Sequence, residues 1–213
     1  VKVKALVSAL GESLNRGFYL QDLQGDGNPE TSDGIFVYLN DKNFASKYPG
    51  IQPGALVCLE ARVEEFYGHT QLRPLVDGNA PRLAVLAQGE APAATALRVL
   101  EGETLARALE RHEGMRVRLD EGSELKISRN FSYDYAARRN NLVLAHGAPL
   151  MKPTQLHVAG SPEAVALAEA NAGNRVFLES DFKAANGKLP WLPAWEPEQG
   201  YLRIGDAPLN LEA

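Results

Sequence analysis

The sequence predicts a mainly β fold, two OB-fold-like Greek-key barrels with short helices, and three observations predict it. Residues 17–38, GFYLQDLQGDGNPETSDGIFVY, read as two aromatic-rich strands around an acidic, glycine-containing loop. From Ala55 the chain runs ALVCLEARVEEFYGHTQLR, a long strand that turns at Gly68 into a polar strand carrying His69, Gln71 and Arg73. A long connection separates the two pairs. Strand, strand, long connection, bent strand, closing strand is the order of a small five-stranded Greek-key barrel.

The alternation VKVKALV sets the first strand over 3–9, and the aromatic strands follow at 17–22 and 34–39. NDKNFASKYPGIQPG, residues 40–54, holds a loop or short helical turn in the place where OB-folds put their helix. The bent strand spans 55–66, the closing strand 69–74, and one more strand 83–87. GEAPAATA, residues 89–96, is a small-residue linker, so residues 1–88 form one OB-fold-like domain. Residues 97–213 form a second OB-like β domain with two short helices. Its first helix covers 103–111, where Leu105, Ala108 and Leu109 keep helical spacing. Strands are expected at 115–119, 125–128 and 142–145, then a helix at 162–172 with Ser161 as N-cap and Pro162 at its first position. Strands at 175–179 and 201–204 follow, separated by the irregular, Pro- and Trp-rich NGKLPWLPAWEPEQG.

With 213 residues, 45% of them hydrophobic, the chain can fill the cores of one large or two small domains. It has no apolar run near the roughly 18 residues that a membrane span requires, so no membrane partner is expected. No signal-peptide pattern precedes the opening strand, and any export signal is expected to belong to a longer precursor. A single cysteine, Cys58, excludes an internal disulfide and any multi-cysteine metal framework. Alternation puts it with Glu60 and Arg62, opposite Val57, Leu59, Ala61 and Val63, where it reads as a half-buried filler.

Net charge is −5, with 8 basic against 10 acidic residues up to Gln88 and 14 against 17 after it. Neither part has the basic surplus with which a tight non-specific DNA binder displaces phosphate counterions, so any binding is expected to be modest and salt-sensitive unless arginines cluster. Catalysis by the chain itself is not expected. His69, His112, His146 and His157 lack metal-ligand spacing, and there is no phosphate-cradling glycine loop, nucleophile elbow or HExxH motif.

Three groups of side chains carry functional chemistry. With Phe18, Leu20, Ile35, Val37 and Leu39 inward, the period of two turns Tyr19, Gln21, Phe36 and Tyr38 outward. OB-folds bind oligonucleotides or sugars on the face of these two strands. Rings there stack bases while Arg62 or Arg73 meets phosphate, with His69 on the same strand as Arg73. The other reading is that residues 40–54 or the second domain cover the aromatics.

The acidic loop crowds Asp22, Asp26, Asn28, Glu30 and Asp33 into twelve positions, and Asp26, Asn28 and Glu30 alternate as the ligands of a Ca²⁺ loop do. The EF-hand pattern is incomplete, because no helix leads in and the bidentate glutamate is missing. Asp-Gly and Ser-Asp-Gly are also turn formers whose side chains bond the local backbone, so calcium and plain turns both stand. The third group is KISRNFSYDYAARRNN, residues 126–141, where Arg129, Arg138 and Arg139 interleave with Phe131, Tyr133 and Tyr135. Guanidinium and π-faces mixed in this way serve single-strand binding. As a loop between strands, the segment either reaches around nucleic acid or packs its tyrosines on a neighbouring domain.

Several short motifs recur in a recognisable order: residues 17–22 (GFYLQD), 25–27 (GDG), 31–38 (TSDGIFVY), 65–68 (EFYG) and 70–72 (TQL). Residues 113–115 (EGM), 153–155 (PTQ), Asn171, Asn174-Arg175 and 202–206 (LRIGD) continue it. In wording and spacing, over nearly the whole chain, this resembles the OB-fold region of large secreted bacterial nucleases, which precedes a catalytic domain of the endonuclease/exonuclease/phosphatase type. The resemblance implies an extracellular setting and a DNA-engaging, non-catalytic region whose partners are DNA, including single strands, or its own C-terminal nuclease domain. It implies that the divalent metal for hydrolysis belongs to that domain. The alternative is a structural module that positions the catalytic domain without touching nucleic acid.

Overall fold

A computed structural model describes residues 1–11, 15–180, 182–189 and 202–213. The chain is mainly β and divides into two compact units. Unit 1 takes Val1–Thr95, Glu110–Arg118 and Glu212–Ala213, and unit 2 takes Ala96–Leu109 and Leu119–Leu211. The first passage between units thus falls at the end of the small-residue linker, but two later segments assigned to the second domain from sequence belong to unit 1.

Unit 1 opens with β1 (Lys2–Gly11), β2 (Gly17–Gln21), β3 (Gly34–Tyr38), α1 (Phe44–Lys47), β4 (Ala55–Phe66) and β5 (His69–Pro74). Pairing runs β1-β2-β3-β5-β4 and back to β1, antiparallel except for the parallel β3–β5 pair. That circuit closes a five-stranded, OB-fold-like barrel. β4 is long enough to serve two partners, since residues 56–60 pair with β1 and residues 61–66 with β5. The inward positions are those of the strand period: Val7, Phe18, Leu20, Val37, Val57, Leu59 and Leu72 are buried in one core. Val63 departs from the expected apolar face and is exposed, because β4 there has left the core for the β5 hairpin. Cys58 is free and half-buried, as a filler would be.

α1 is too short to stand alone. It is held by Phe44, which is fully buried with its ring 6.2 Å from that of Phe18; a buried phenylalanine contributes about 1.5–3 kcal/mol. After the barrel come β6 (Val76–Asp77), β7 (Ala80–Pro81) and β8 (Leu83–Gln88), the last pairing with the first half of β4. The barrel rim is tied by Glu60, which meets Lys2 at 2.9 Å and Arg82 at 3.0 Å. These bonds, the one from Lys2 first, hold the Glu60 carboxyl below its ordinary value.

The remaining elements are β9 (Thr95–Ala96), α2 (Leu105–Glu110), β10 (Val117–Leu119), β11 (Leu125–Asp134), β12 (Arg139–His146), α3 (Pro153–Leu156), α4 (Pro162–Gly173), β13 (Val176–Glu179) and β14 (Leu211–Glu212). α4 starts as its sequence dictates: Pro162 opens it and the Ser161 hydroxyl accepts from the Ala164 amide at 3.2 Å. Within unit 1, the Thr95 amide bonds to Arg116 O, and Val117 and Ala213 exchange two backbone bonds. This small pairing brings chain-distant segments together.

Unit 2 is built on the antiparallel sheet β11-β12-β13. Barrel closure, expected twice, is seen in unit 1; among the described residues of unit 2 the sheet stays open. Residues 126–141 are not a loop, as expected from sequence, but most of a β-hairpin whose strands reach Asp134 and resume at Arg139. The expected last strand begins at Tyr201, outside the described residues, as does most of the Trp-rich segment. Residues 202–206 form a turn instead, bonded to Ile127 through Gly205 N–H and Asp206 O, each at 2.8 Å.

Candidate nucleic-acid interface

The period of two sets the outer face of β2, β3 and β5. Tyr19 and Phe36 stand opposite each other on one rung, with ring centroids 4.9 Å apart, and Tyr38 continues the row 6.5 Å from Phe36. Arg73 lies with its guanidinium 5.6 Å from the Tyr38 ring centroid, a cation–π contact. Asn15 donates to the Tyr19 hydroxyl at 3.0 Å, and the Tyr38 hydroxyl donates to Asn40 Oδ1 at 2.7 Å. All three residues are half-buried, held by one another and by these bonds. Arg62 pairs across the rung with Arg73 and is exposed, and the Glu64 carboxylate is 3.9 Å from Arg73.

The fourth outward residue, Gln21, is buried, because its side chain accepts from the Arg116 amide at 3.3 Å. Residues 113–116 lie across the Gln21–Gly34 rung. The Ser32 hydroxyl donates to Glu113 O at 2.6 Å, and a Cβ on Gly34 would stand 2.4 Å from the Gly114 carbonyl carbon. Within unit 1, then, the cover reaches the loop end of the face and comes from a segment that the sequence placed in the second domain, while residues 40–54 are not what buries Gln21. His69 joins the same clasp, with Nδ1 2.7 Å from Glu113 Oε1. It is a hydrogen-bonding surface histidine.

The acidic loop turns its oxygens onto itself. Asp22 accepts from Gln24 N–H at 3.1 Å, Asp26 from Asn28 N–H at 2.8 Å and the Thr31 hydroxyl at 2.9 Å, and Asn28 from Glu30 N–H at 3.1 Å. Asp33 accepts from Asp26 N–H at 3.3 Å. Among the described residues, no three His, Cys, Asp or Glu side chains gather as a metal-holding group. The bonds from Asn28 N–H, first, and Thr31 hold the Asp26 carboxyl below its usual range.

In unit 2 the hairpin disperses the basic and aromatic residues that the sequence groups together. Tyr133 and Tyr135 meet edge to face at 4.9 Å, and the Tyr133 hydroxyl bonds to Ala184 O while Tyr135 is 78% exposed. Arg139 pairs with Glu179 at 2.9 Å, and Arg138 sits in the turn at φ 59° with its side chain exposed. Arg129 gathers a different group: it donates to Asn141 Oδ1 at 2.6 Å and lies 5.5 Å from the Phe177 ring, which Arg175 approaches at 5.7 Å. Two guanidiniums on one ring, itself 49% exposed, make a cationic stacking surface.

Sequence reasoning passed over Phe177 and Arg175, whose meeting with Arg129 depends on strand register. It also passed over Asn140, which is buried and donates to Ala185 O at 2.8 Å and Lys188 O at 2.6 Å. Phe66 and Tyr67, at the tip of the β4–β5 hairpin, are 58% and 91% exposed; the sequence marks them only as part of the 65–68 motif, not as binding residues. No helix among the described residues is long and apolar enough to cross a membrane. No protein-family model, curated protein or solved structure matches the chain.

Proposed function

We propose that this chain is a non-catalytic nucleic-acid-binding region that engages DNA, single strands included, for a separate nuclease domain. The observation that carries the reading is the Tyr19–Phe36–Tyr38 row with the Arg73 guanidinium beside it on the outer face of a closed barrel. Stacked bases meet such rings at about 1–3 kcal/mol each, and a guanidinium at the end of the row has a phosphate within its reach. The Arg129–Phe177–Arg175 group of unit 2 offers the same chemistry without relying on net charge, which has the wrong sign for a general DNA binder. The motif resemblance alone supplies the secreted nuclease setting, the extracellular location and the metal-dependent catalytic partner.

Anisotropy titrations of a labelled single-stranded oligonucleotide at several salt concentrations test the reading. Arg73→Ala is expected to weaken binding and to reduce the log–log salt slope by about one, the loss of one phosphate contact. Tyr38→Ala is expected to weaken binding at every salt concentration with the slope unchanged. Absence of binding even at low salt would leave the positioning module. That second reading is favoured by one observation, the cover that residues 113–116 place over the loop end of the face.

A further inference from the structure

Within unit 1, strand register lays out the outer face of the barrel in rows. Tyr19, Phe36 and Gln71 share one row across β2, β3 and β5, and one pleat away Gln21, Gly34 and His69 form the next. Residues 113–116 run along this second row from β5 to β2. Glu113 Oε1 lies 2.7 Å from His69 Nδ1, the Gly114 backbone crosses Gly34, and the Arg116 amide donates to Gln21 Oε1 at 3.3 Å. The Ser32 hydroxyl donates to the Glu113 carbonyl at 2.6 Å. A segment of the chain itself thus fills one row of the face, with its carboxylate over β5.

This contact is specific but light. Two glycines shape it: a Cβ on Gly34 would stand 2.4 Å from the Gly114 carbonyl carbon, and one on Gly114 would stand 3.0 Å from Ile35 N. Yet residues 113–116 are all half-buried, and none of them belongs to the barrel core. Their ties to the face are the polar contacts just named, each worth little net because water can replace it. Leu109 and Leu119, on either side in sequence, belong to unit 2, so a strap that lets go stays tethered to the same chain. His69 alternates with Gln71 and Arg73 on β5, and a ligand phosphate that reached it would have to replace the Glu113 carboxylate.

We propose that residues 113–116 are a built-in competitor of the ligand: they hold the Gln21–Gly34–His69 row shut, with Glu113 in place of an anionic ligand group, until a bound oligonucleotide displaces them. This rests on the nucleic-acid reading above and names how the chain regulates that face.

The test uses the full chain and a labelled single-stranded oligonucleotide, with anisotropy and hydrogen exchange read in parallel. In the unaltered chain the oligonucleotide is expected to quicken exchange of the Arg116 amide, because Gln21 releases it; this readout needs no variant. Ser32→Ala loosens the strap without changing charge and is expected to tighten binding about threefold, the low end of one hydrogen bond's net worth. Glu113→Gln is expected to tighten it at least as much. Tightening by Glu113→Gln alone would report only the lost negative charge and would overturn the proposal. So would a bound oligonucleotide that slows or leaves unchanged the Arg116 exchange while neither variant tightens binding; the barrel-face reading then stands if Arg73→Ala still weakens it. Binding by the two variants but not by the unaltered chain would support the strap in its strongest form. If none of the three binds, the nucleic-acid reading falls and the proposal with it.

Discussion

Asp26 organises the loop between β2 and β3 by accepting from the Asn28 amide and the Thr31 hydroxyl, and those bonds depress its carboxyl. A group depressed on folding contributes stability above its unfolded value, about 3.9, and loses it as pH falls through the folded one. The Asn28 amide resonance is therefore expected to titrate with a midpoint below the ordinary aspartate value; a midpoint at or above it would show that the bonds are not made. The same bonds are those of plain turns. Oxygens that alternate like calcium ligands are engaged with local amides, so Tm is expected to be indifferent to millimolar calcium and to chelator. A chelator-reversible gain, about 2.7 kcal/mol at one hundred times Kd, would restore the ion. At this scale the sequence was legible where a residue's outward placement follows from its own strand, as for Tyr19, Phe36 and Tyr38. It was not legible for Phe177, whose partners are fixed by register with another strand, or for Asn140, an asparagine that reads as a turn former until the backbone of residues 185–188 engages its side chain.

At the scale of elements, the β2–β3 hairpin owes its outer surface to a neighbour that the strand pattern does not reveal. Gly34 begins β3 at the point where the backbone of Gly114 crosses, and no side chain fits between them. Gly34→Ala is expected to lever residues 113–116 away and cost about 1–3 kcal/mol, the usual range for overpacking. Hydrogen exchange of the Arg116 amide, now bonded to Gln21, should then quicken, while the amides that join β4 to β1 stay protected. Unchanged exchange at Arg116 would mean that the crossing does not depend on the glycine. The elements themselves were largely readable: β1 to β5, β8, α2, α4 and β13 fall near their expected spans because alternation, helical spacing and the Ser161-Pro162 start are local signals. β11 and β12 were read too short. Their outer halves, FSYD and RNN, mix polar and turn-forming residues that only cross-strand pairing makes extended.

For the whole molecule, the order of strands foretells the closed barrel, but the linker composition marks only where the chain leaves unit 1, not that it comes back. The return of Glu110–Arg118 and Glu212–Ala213 is written in long-range contacts: Ser32 with Glu113, His69 with Glu113, Gln21 with Arg116, Val117 with Ala213. These contacts lie outside the barrel core, every member of which, from Val3 to Leu83, falls within residues 1–88. A fragment of residues 1–88 therefore holds a complete core and a closed circuit of strands, and is expected to unfold as one cooperative unit, as domains of this size do. It should be less stable than unit 1 in the full chain, because Gln21 and Gly34 lose their cover. Its oligonucleotide affinity is expected to stay within a few-fold of the full chain's, since Tyr19, Phe36, Tyr38, Arg62 and Arg73 are all retained. A fragment that folds but does not bind would transfer the interface to Arg129, Phe177 and Arg175 of unit 2. A fragment that fails to fold would show that the returning segments complete the barrel rather than merely cover one end of its outer face.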